Sequence, residues 1–294
     1  MADRGEGRLI HSVASWRVAW DTLHLPASAV PTPPDFGLRY PWPSVVRHAM
    51  SAAHRARVAT AKARLRETLA LHPGARLGWS AGKDSTALAA LCHEIDLSIP
   101  AFGEKDDLDY PAEVEYLRVL GARFGLPVEI LTPDVSLLQF LKDARVSLVN
   151  DLHGQTAELS REHFYGLLKR HRKESGYDAV ILGLRAGESR ARKMNRRSHG
   201  WTPTRKIDGL TIASPLADWE NIDVHAYLAS RDVPLMPLYL CVDVGMDALR
   251  IRKSWFVAGG FAASIGGHYA WLRRWWPDLW ERIADLDPEV RRLS

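Results

Sequence analysis

Cysteine is scarce in this chain: Cys92 and Cys241 are the only two among 294 residues. They lie far apart and form no C-x-x-C motif, so the pattern excludes a disulfide framework and a redox-active cysteine pair. Because a chain without disulfides is typical of a reducing compartment, we expect a cytoplasmic location.

Long hydrophobic runs are also missing. No apolar stretch approaches the roughly 20 residues that a membrane-spanning helix needs, and the polar opening Met1–Glu6 is not typical of a secretory signal. Charge of one sign does not dominate, because 39 lysine and arginine residues stand against 35 acidic residues and leave a net charge of +4. We therefore expect no membrane association, and the overall charge does not by itself require a nucleic-acid partner.

The stretch Arg76–Leu91 carries the strongest local pattern in the chain. Residues 77–79 are predicted as the end of a buried strand and residues 80–84 as a tight polar turn. A helix is predicted from Ser85 onward, because the apolar residues that follow have helical spacing. The first N–H groups of a helix lack internal partners and stand at the positive end of its dipole, so this junction is typical of an anion site.

Side chains in the turn add donors for an anion. Gly82 is expected to let the backbone turn sharply and approach an oxygen closely. The other donors are the ammonium group of Lys83 and the hydroxyls of Ser80, Ser85 and Thr86. The turn contains neither G-x-x-x-x-G-K-[ST] nor G-x-G-x-x-G, so it is neither the usual P-loop nor a dinucleotide fingerprint. The expected guest is a polyphosphate or a sulfate.

Strand and helix patterns alternate after this stretch. The predicted strands are residues 99–103, 128–131 and 179–183. This order favours an α/β fold with a doubly wound, mostly parallel sheet and with helical N- and C-terminal extensions. We predict an N-terminal arm at residues 1–44, a nucleotide-binding domain at 45–240 and a helical, Trp-rich C-terminal extension at 241–294.

Charged residues follow two of the predicted strands, at the sheet edge where α/β folds bind ligands. After the second strand, Glu104 or Asp106 could hold a ribose hydroxyl or a metal, and a solvated acidic turn is the alternative. After residues 179–183 come Arg185 and Arg190. Forked guanidinium groups there would clamp phosphate or sulfate oxygens, which we favour over a solvated basic face.

Two other cation-rich stretches are interpreted as structural. In the helical segment before the first strand, a solvated face is expected, and a phosphate or nucleic-acid role is the alternative. Its residues are His54, Arg55, Arg57, Lys62 and Arg66. In the tail, Trp271 and Trp275 are four residues apart among arginines. This spacing favours packing of one helical face, while stacking of nucleic-acid bases on the rings is the alternative.

Three motifs resemble known families. Ser80–Ser85 resembles the S-G-G-K-D-S loop of the PP-loop ATP pyrophosphatases, the adenine nucleotide alpha-hydrolase superfamily, with Ala81 in place of one glycine. Gly183–Arg192 is similar to the G-x-R-x-x-E-S-x-x-R motif of the phosphoadenosine phosphosulfate (PAPS) reductase family. Residues 214–239 look like that family's P-L-x-D-W…D-V-x-x-Y…P-x-x-P-L-Y segment. The motifs occur in the right order across roughly residues 76–240.

The resemblance implies a nucleotide substrate, either ATP or an adenylyl sulfate (PAPS or APS), together with Mg²⁺ whose ligands stay open. The residues expected to act in catalysis are Lys83, Asp84, Arg185 and Arg190. With the turn at Glu104 included, the expected nucleotide-binding residues are Ser80, Ala81, Gly82, Lys83, Asp84, Ser85, Thr86, Glu104, Gly183 and Arg185.

The chain departs from the reductases in its cysteines. They need a cysteine on a carboxyl-terminal tail, because a thiolate must attack sulfur, and no cysteine follows Cys241. Two cysteines also cannot supply the four ligands of an iron–sulfur cluster, so none is expected.

The function that the sequence favours is therefore an ATP pyrophosphatase or adenylyltransferase that acts at the α-phosphate to activate an acceptor, in sulfur transfer or nucleic-acid modification. One alternative is a PAPS or APS reductase that uses Cys241 or a partner's thiol. The other is an inactive nucleotide- or nucleic-acid-binding subunit. A protein partner is compatible with each, and the oligomeric state stays open.

Overall fold

A five-stranded parallel sheet forms the centre of the molecule. The computed structural model describes residues 10–25, 30–31, 35–95, 98–145, 147–149, 155–253 and 268–292. The strands are β1 (Arg76–Gly78), β2 (Ala101–Glu104), β3 (Val128–Leu131), β4 (Ala179–Ile181) and β5 (Thr211–Ala213). They lie in the order β3-β2-β1-β4-β5, and every pairing is parallel. The predicted α/β fold with a doubly wound sheet is confirmed.

The central strand β1 lies between β2 and β4. Leu77 of β1 is aligned with Ala101 on one side and with Ile181 on the other. The chain runs outward from β1 through β2 to β3, and then crosses back to β4 and β5. The carboxyl ends of β1 and β4 therefore flank the topological switch point, where open α/β sheets bind ligands.

The helices connect and cover these strands. They are α1 (Val13–Thr22), α2 (Trp42–Ala49), α3 (Ala52–Leu71), α4 (Lys83–Glu94), α5 (Glu113–Phe124), α6 (Leu137–Asp143), α7 (Gln155–Ser175), α8 (Arg190–His199), α9 (Asn221–Ser230), α10 (His268–Trp275) and α11 (Pro277–Leu286). The helical stretch is interrupted between α2 and α3. Ser51 lies at this interruption, and its hydroxyl oxygen accepts the N–H of His54 and caps α3. Within the described ranges, none of the helices has both the length and the apolar character that crossing a bilayer requires.

Tryptophan side chains of both terminal regions are buried. Trp20 on α1 is 3% exposed, and its indole N–H donates to the carbonyl of Leu235 at 3.0 Å. Trp271 and Trp275 on α10 are 2% and 4% exposed, and Trp271 donates to the carbonyl of Cys241 at 2.7 Å. Burial of such large rings stabilises the fold. The predicted packing role of these two tail tryptophans is confirmed, while residues 254–267 of the extension lie outside the described residues.

The solvated face predicted on α3 is confirmed for Arg55 and Arg66, which are exposed, and is wrong for the other three residues. His54 is 2% exposed, and its Nδ1 lies 3.2 Å from Oδ1 of Asp223, a fully buried carboxylate on α9. Arg57 donates to the other oxygen of Asp223 at 2.6 Å. Lys62 donates to Glu94 at 2.6 Å. Because a buried carboxylate needs charged or hydrogen-bonding partners, His54 and Arg57 serve the interior rather than the solvent.

Candidate active site at the switch point

The loop between β1 and α4 turns at Ala81. This residue is fully buried and has a φ of 54°, whereas Gly82 has an ordinary φ of −66° and is the N-cap of α4. The predicted sharp turn at Gly82 is therefore wrong by one residue. The left-handed conformation costs a residue with a Cβ roughly 1–2 kcal/mol. Ala81 thus keeps a backbone conformation that suits the glycine of the loop it resembles.

The loop hydroxyls have different surroundings. Oγ of Ser85 donates to the carbonyl of Gly82 at 3.0 Å and lies 3.3 Å from Oγ of Ser80. These two serines lie together at the start of α4. Thr86 is fully buried, and its hydroxyl accepts the indole N–H of Trp79 at 3.1 Å. The Thr86 hydroxyl, which was expected to bind the nucleotide, is therefore engaged in joining the helix to the strand.

Two buried cations share one carboxylate beside the loop. Nζ of Lys83 lies 3.0 Å from Oδ2 of Asp84, and Nε of Arg185 donates to Oδ1. Both cationic side chains are 3% exposed. Burial alone would raise the pKa of Asp84, but Lys83 and Arg185 outweigh it and hold that pKa below its usual value. Burial lowers the pKa of Lys83, although Asp84 opposes this effect.

Arg185 reaches the loop because the end of β4 lies against the start of α4. A Cβ on Gly183 would lie 2.8 Å from the backbone carbon of Asp84 and from the nitrogen of Ser85. Only glycine permits so close an approach of two backbones. On its other side, Arg185 donates to Oδ1 of Asn221 at 2.8 Å, so the guanidinium group is held in place from two directions.

Arg190 occupies a different position from Arg185. It is exposed as the first residue of α8. In the described part of the chain, no hydrogen bond or ion pair joins Arg190 to the loop. The structure therefore brings only the first of the two predicted arginines into contact with the loop.

A tyrosine and a tail segment contact the loop, and the sequence did not indicate either contact. The hydroxyl of Tyr239, interpreted as a packing residue, accepts the N–H of Lys83 at 3.0 Å. The carbonyl of Ile251 accepts from Nζ of Lys83 at 3.5 Å, and Nζ of Lys253 donates to the carbonyl of Ser80 at 3.2 Å. A short basic run was the only sequence signal for this segment, because its place over the loop depends on how the tail folds.

The neighbouring strand β2 ends among acidic groups. An open cleft of about 980 Å³ lies there. Acidic side chains that line it are Asp106, Asp107, Asp109, Glu113 and Glu115. Burial raises the pKa of Glu104 to about 7, the charge of Lys253 opposes this rise, and repulsion from Asp109 and Asp106 adds to it. Glu104, expected to bind the nucleotide, therefore has Lys253 and acidic groups as its charged neighbours instead of Lys83 and Arg185.

The parallel sheet, the helix N-terminus at its switch point and the buried cations define an α/β protein with a candidate anion site at the strand ends. Residues 75–245 match the family described as "Phosphoadenosine phosphosulfate reductase domain". The match covers more than half of the chain, and the chain belongs to this family. The resemblance recognised from the motifs is confirmed.

Two curated relatives share the same printed name. "Sulfate adenylyltransferase subunit 2" of Azospirillum brasilense is 26% identical over 202 residues, which cover 61% of this chain and 64% of that protein. The protein of that name from Maricaulis maris (strain MCS10) is 24% identical over 202 residues, which cover 60% of this chain and 63% of that protein. The match thus spans less than two thirds of the length of these relatives.

Solved structures show more distant similarity. PAPS reductase from Candida auris, in a phosphate complex, is 18% identical with a TM-score of 0.48 and covers 61% of this chain and 83% of its own. NMN synthetase from Francisella tularensis is 15% identical with a TM-score of 0.43 and covers 82% of this chain and 95% of its own. At these TM-scores neither similarity informs the site.

Proposed function

We propose that this chain binds ATP and transfers its adenylyl group. An acceptor oxygen attacks the α-phosphorus, a new oxygen–phosphorus bond forms, and the bond to the leaving pyrophosphate breaks. The observation that carries this proposal is the pair of buried cations, Lys83 and Arg185, on one carboxylate at the N-terminus of α4. Chemistry of this kind depends mainly on positioning and on neutralising phosphate charge.

The loop supplies groups for each part of a triphosphate. First-turn N–H groups of α4 and the hydroxyls of Ser80 and Ser85 would bind phosphate oxygens. Lys83 and Arg185 would exchange part of their contact with Asp84 for the developing charge on pyrophosphate. Asp84 would then be free to hold the Mg²⁺ that accompanies ATP, and this ion would neutralise phosphate charge.

The remaining predicted residues have supporting roles in this proposal. Ala81, Gly82 and Gly183 would keep the backbone close to the phosphates. A Cβ at Gly82 would lie 3.3 Å from Oγ of Ser80 and 3.5 Å from the hydroxyl of Tyr239. A side chain at Gly82 would therefore narrow the loop where an anion is expected.

Sulfate is the acceptor that we propose. It is suggested by the names of the two curated relatives, which also suggest that the chain works beside a second protein subunit. Sulfate offers an oxygen nucleophile and requires no thiol. The products would be adenylyl sulfate and pyrophosphate.

The reductase alternative receives no support from the cysteines. Cys241 is fully buried, and burial raises the pKa of its thiol well above the usual value. Burial likewise raises the pKa of Cys92 to about 12. Since the thiolate is the nucleophile, neither cysteine is suited to attack a sulfated nucleotide.

Product analysis of ATP labelled at the α-phosphate tests this function. The full chain is incubated with Mg²⁺, with and without sulfate, and with Lys83→Ala for comparison. Labelled adenylyl sulfate that forms only with sulfate and is lost in Lys83→Ala is the expected result. Label in ADP would contradict attack at the α-phosphorus. Bound but intact ATP under every condition would instead support a nucleotide-binding subunit.

A further inference from the structure

A second cluster of ligand atoms lies one strand away from the loop, where β2 ends. It consists of the carboxylates of Glu104 and Asp106 and the imidazole of His163 on α7, with one atom from each within 4.8 Å of the others. Nδ1 of His163 is 3.7 Å from Oδ2 of Asp106, which is too long for a hydrogen bond. Two ligands bound at about 2.1 Å to one metal ion lie roughly 3.0–3.4 Å apart. Small side-chain shifts would therefore place an ion between these atoms.

The imidazole of His163 is held in the orientation of a metal ligand. Its Nε2 lies 2.7 Å from the carbonyl oxygen of Val135, which can only accept, so Nε2 carries the hydrogen. In the neutral ring, Nδ1 then presents its lone pair to the carboxylates. Metal-binding histidines commonly donate their other N–H to a carbonyl in this way. Phe140 packs against the ring at 5.3 Å between centroids.

Asp106 is oriented by the backbone. Its Oδ1 accepts the N–H of Leu137 at 2.8 Å and the N–H of Asp107 at 2.7 Å. Its Oδ2 is buried and has no hydrogen-bond partner among the described residues. The side chains of Asp106 and His163 are only 5% and 7% exposed. A buried carboxylate oxygen without a partner is costly, and a nearby lone pair adds repulsion that a cation would remove.

We propose that Glu104, Asp106 and His163 bind a divalent transition-metal ion at a site separate from the phosphate-binding loop. Two carboxylate oxygens and one imidazole nitrogen suit Mn²⁺ or Zn²⁺, whereas Mg²⁺ prefers oxygen ligands alone. The nearby ammonium group of Lys253 pairs with Glu113 and lies 3.5 Å from Asp109, and its charge also acts on Glu104. The proposal assigns Glu104 to a metal rather than to the nucleotide, and it does not depend on the adenylyl-transfer chemistry.

A metal-free arrangement predicts a different result. A protonated His163 between the two carboxylates would form a structural ion pair, and Mn²⁺ would then not bind. Titration of the full chain with MnCl₂ in the absence of nucleotide separates the two. Electron paramagnetic resonance counts the bound ions, and electron spin echo modulation detects an imidazole nitrogen on the metal. We expect one Mn²⁺ per chain with nitrogen coupling.

Variants locate the ion. Asp106→Asn and His163→Ala should each weaken Mn²⁺ binding by at least about 10-fold, because changes to groups that merely orient a metal ligand already cost about 10–100-fold. His163→Ala should also remove the nitrogen coupling. Glu115→Gln, an exposed acid of the same cleft, should bind Mn²⁺ like the native chain. Lys83→Ala should also bind it normally, which separates this site from the loop.

Three results would overturn the proposal. They are no bound Mn²⁺, bound Mn²⁺ without nitrogen coupling in the native chain, and unchanged binding in both ligand variants. Because the coupling is measured on the native chain, that measurement does not require either variant to fold. Circular dichroism of each variant shows whether its loss of binding reflects the ligand or the fold.

Discussion

The carboxyl edge of the sheet is divided by charge. Beside β1 and β4, Lys83 and Arg185 share the carboxylate of Asp84, and Glu188 lies 3.9 Å from Arg185. Beside β2, Glu104 and Asp106 lie near a buried histidine instead. We expect a free polyphosphate to favour the first half, and we propose the second half for a transition-metal ion. Neighbouring strands are only about 4.8 Å apart, so the choice of side chains at successive strand ends is enough to give the two halves different charge.

Lys253 connects the two halves. Its ammonium group donates to the carbonyl of Ser80 in the loop, pairs with Glu113 on α5 and lies 3.5 Å from Asp109. The tail thus supplies a cation at the boundary between the loop that follows β1 and the acidic cleft. Variants that alter one half should leave the other intact, while a change at Lys253 should affect both.

Removal of the ammonium group of Lys83 should have the largest effect, a loss of catalytic rate. In Lys83→Ala, the rate of adenylyl transfer should fall about 10²–10³-fold, the range measured when one preorganised electrostatic group is removed. The measurement is the rate of product formation from α-labelled ATP at saturating Mg²⁺. Lys142→Ala on α6, where the side chain is exposed, is the control and should retain full activity. A fully active Lys83→Ala would show that the cationic half does not serve catalysis.

Substitution of Gly183, where the end of β4 contacts the start of α4, should have the next largest effect. Gly183→Ala places a Cβ 2.8 Å from the backbone of Asp84 and Ser85, which should lower the free energy of unfolding by about 3 kcal/mol. Gly187→Ala is the matched control, because nothing lies within 4 Å of a Cβ there. Urea denaturation of both variants measures the difference. Equal stabilities of Gly183→Ala and Gly187→Ala would mean that β4 and α4 move apart at little cost.

Loss of the ammonium group of Lys253, which connects the two halves, should have an intermediate effect on stability. Lys253→Met leaves the carboxyl of Glu113 buried without its partner, which should reduce stability by about 2 kcal/mol. In the native chain, burial raises the pKa of Glu113 from the usual 4.5 to about 8 although Lys253 opposes this rise, so ionisation of Glu113 disfavours the folded state. Loss of Lys253 should raise this pKa further, and the variant should therefore lose more stability than the native chain as the pH rises above 4.5. Thermal unfolding over a pH series measures this loss.

The double variant tests the cause of that loss. Lys253→Met combined with Glu113→Gln should recover part of the stability, because a neutral amide replaces the unpaired acid. Its stability should also depend less on pH than that of Lys253→Met alone. A double variant no more stable than the single one would mean that the lysine acts through packing instead of through charge.

The smallest effect is expected at Ala81. Ala81→Gly relieves a left-handed backbone, a gain of roughly 1 kcal/mol, but removes a buried methyl group worth about 0.8 kcal/mol. The net change in unfolding free energy should stay within about 0.5 kcal/mol, and catalysis should be unaffected. Ala81→Val should be clearly less stable, because a β-branched residue is strained at positive φ. Similar stabilities of Ala81→Val and the native chain would contradict the strained turn.

Local patterns were sufficient to predict the cationic half. The strand, turn and helix around Ser80–Ser85 are adjacent in sequence, so their geometry follows from short-range rules. The nearness of Arg185 followed from the rule that strand ends of a parallel sheet share one edge. The same rule did not predict the position of Arg190. This residue begins α8 directly after Ser189, and its side chain lies at the surface.

The acidic half and the buried contacts of α3 with α9 were harder to predict. His163 stands on a helix far from Glu104 in sequence, and nothing in its local pattern distinguishes it from a surface residue. The same holds for His54 and Arg57, whose shared partner Asp223 comes from α9. Contacts between distant segments depend on how helices pack on the sheet, which periodicity alone does not specify.

By itself, the sequence determined the α/β class, the family and the strand, turn and helix around Ser80–Ser85, because each rests on motifs whose residues are close along the chain. Tertiary structure alone decided that Ala81 carries the turn and that Lys253 lies over the loop. It also decided that Glu104, Asp106 and His163 meet beside β2. Backbone torsion at one residue and the convergence of distant side chains follow from the packing of the whole chain, so they become visible only once it is folded.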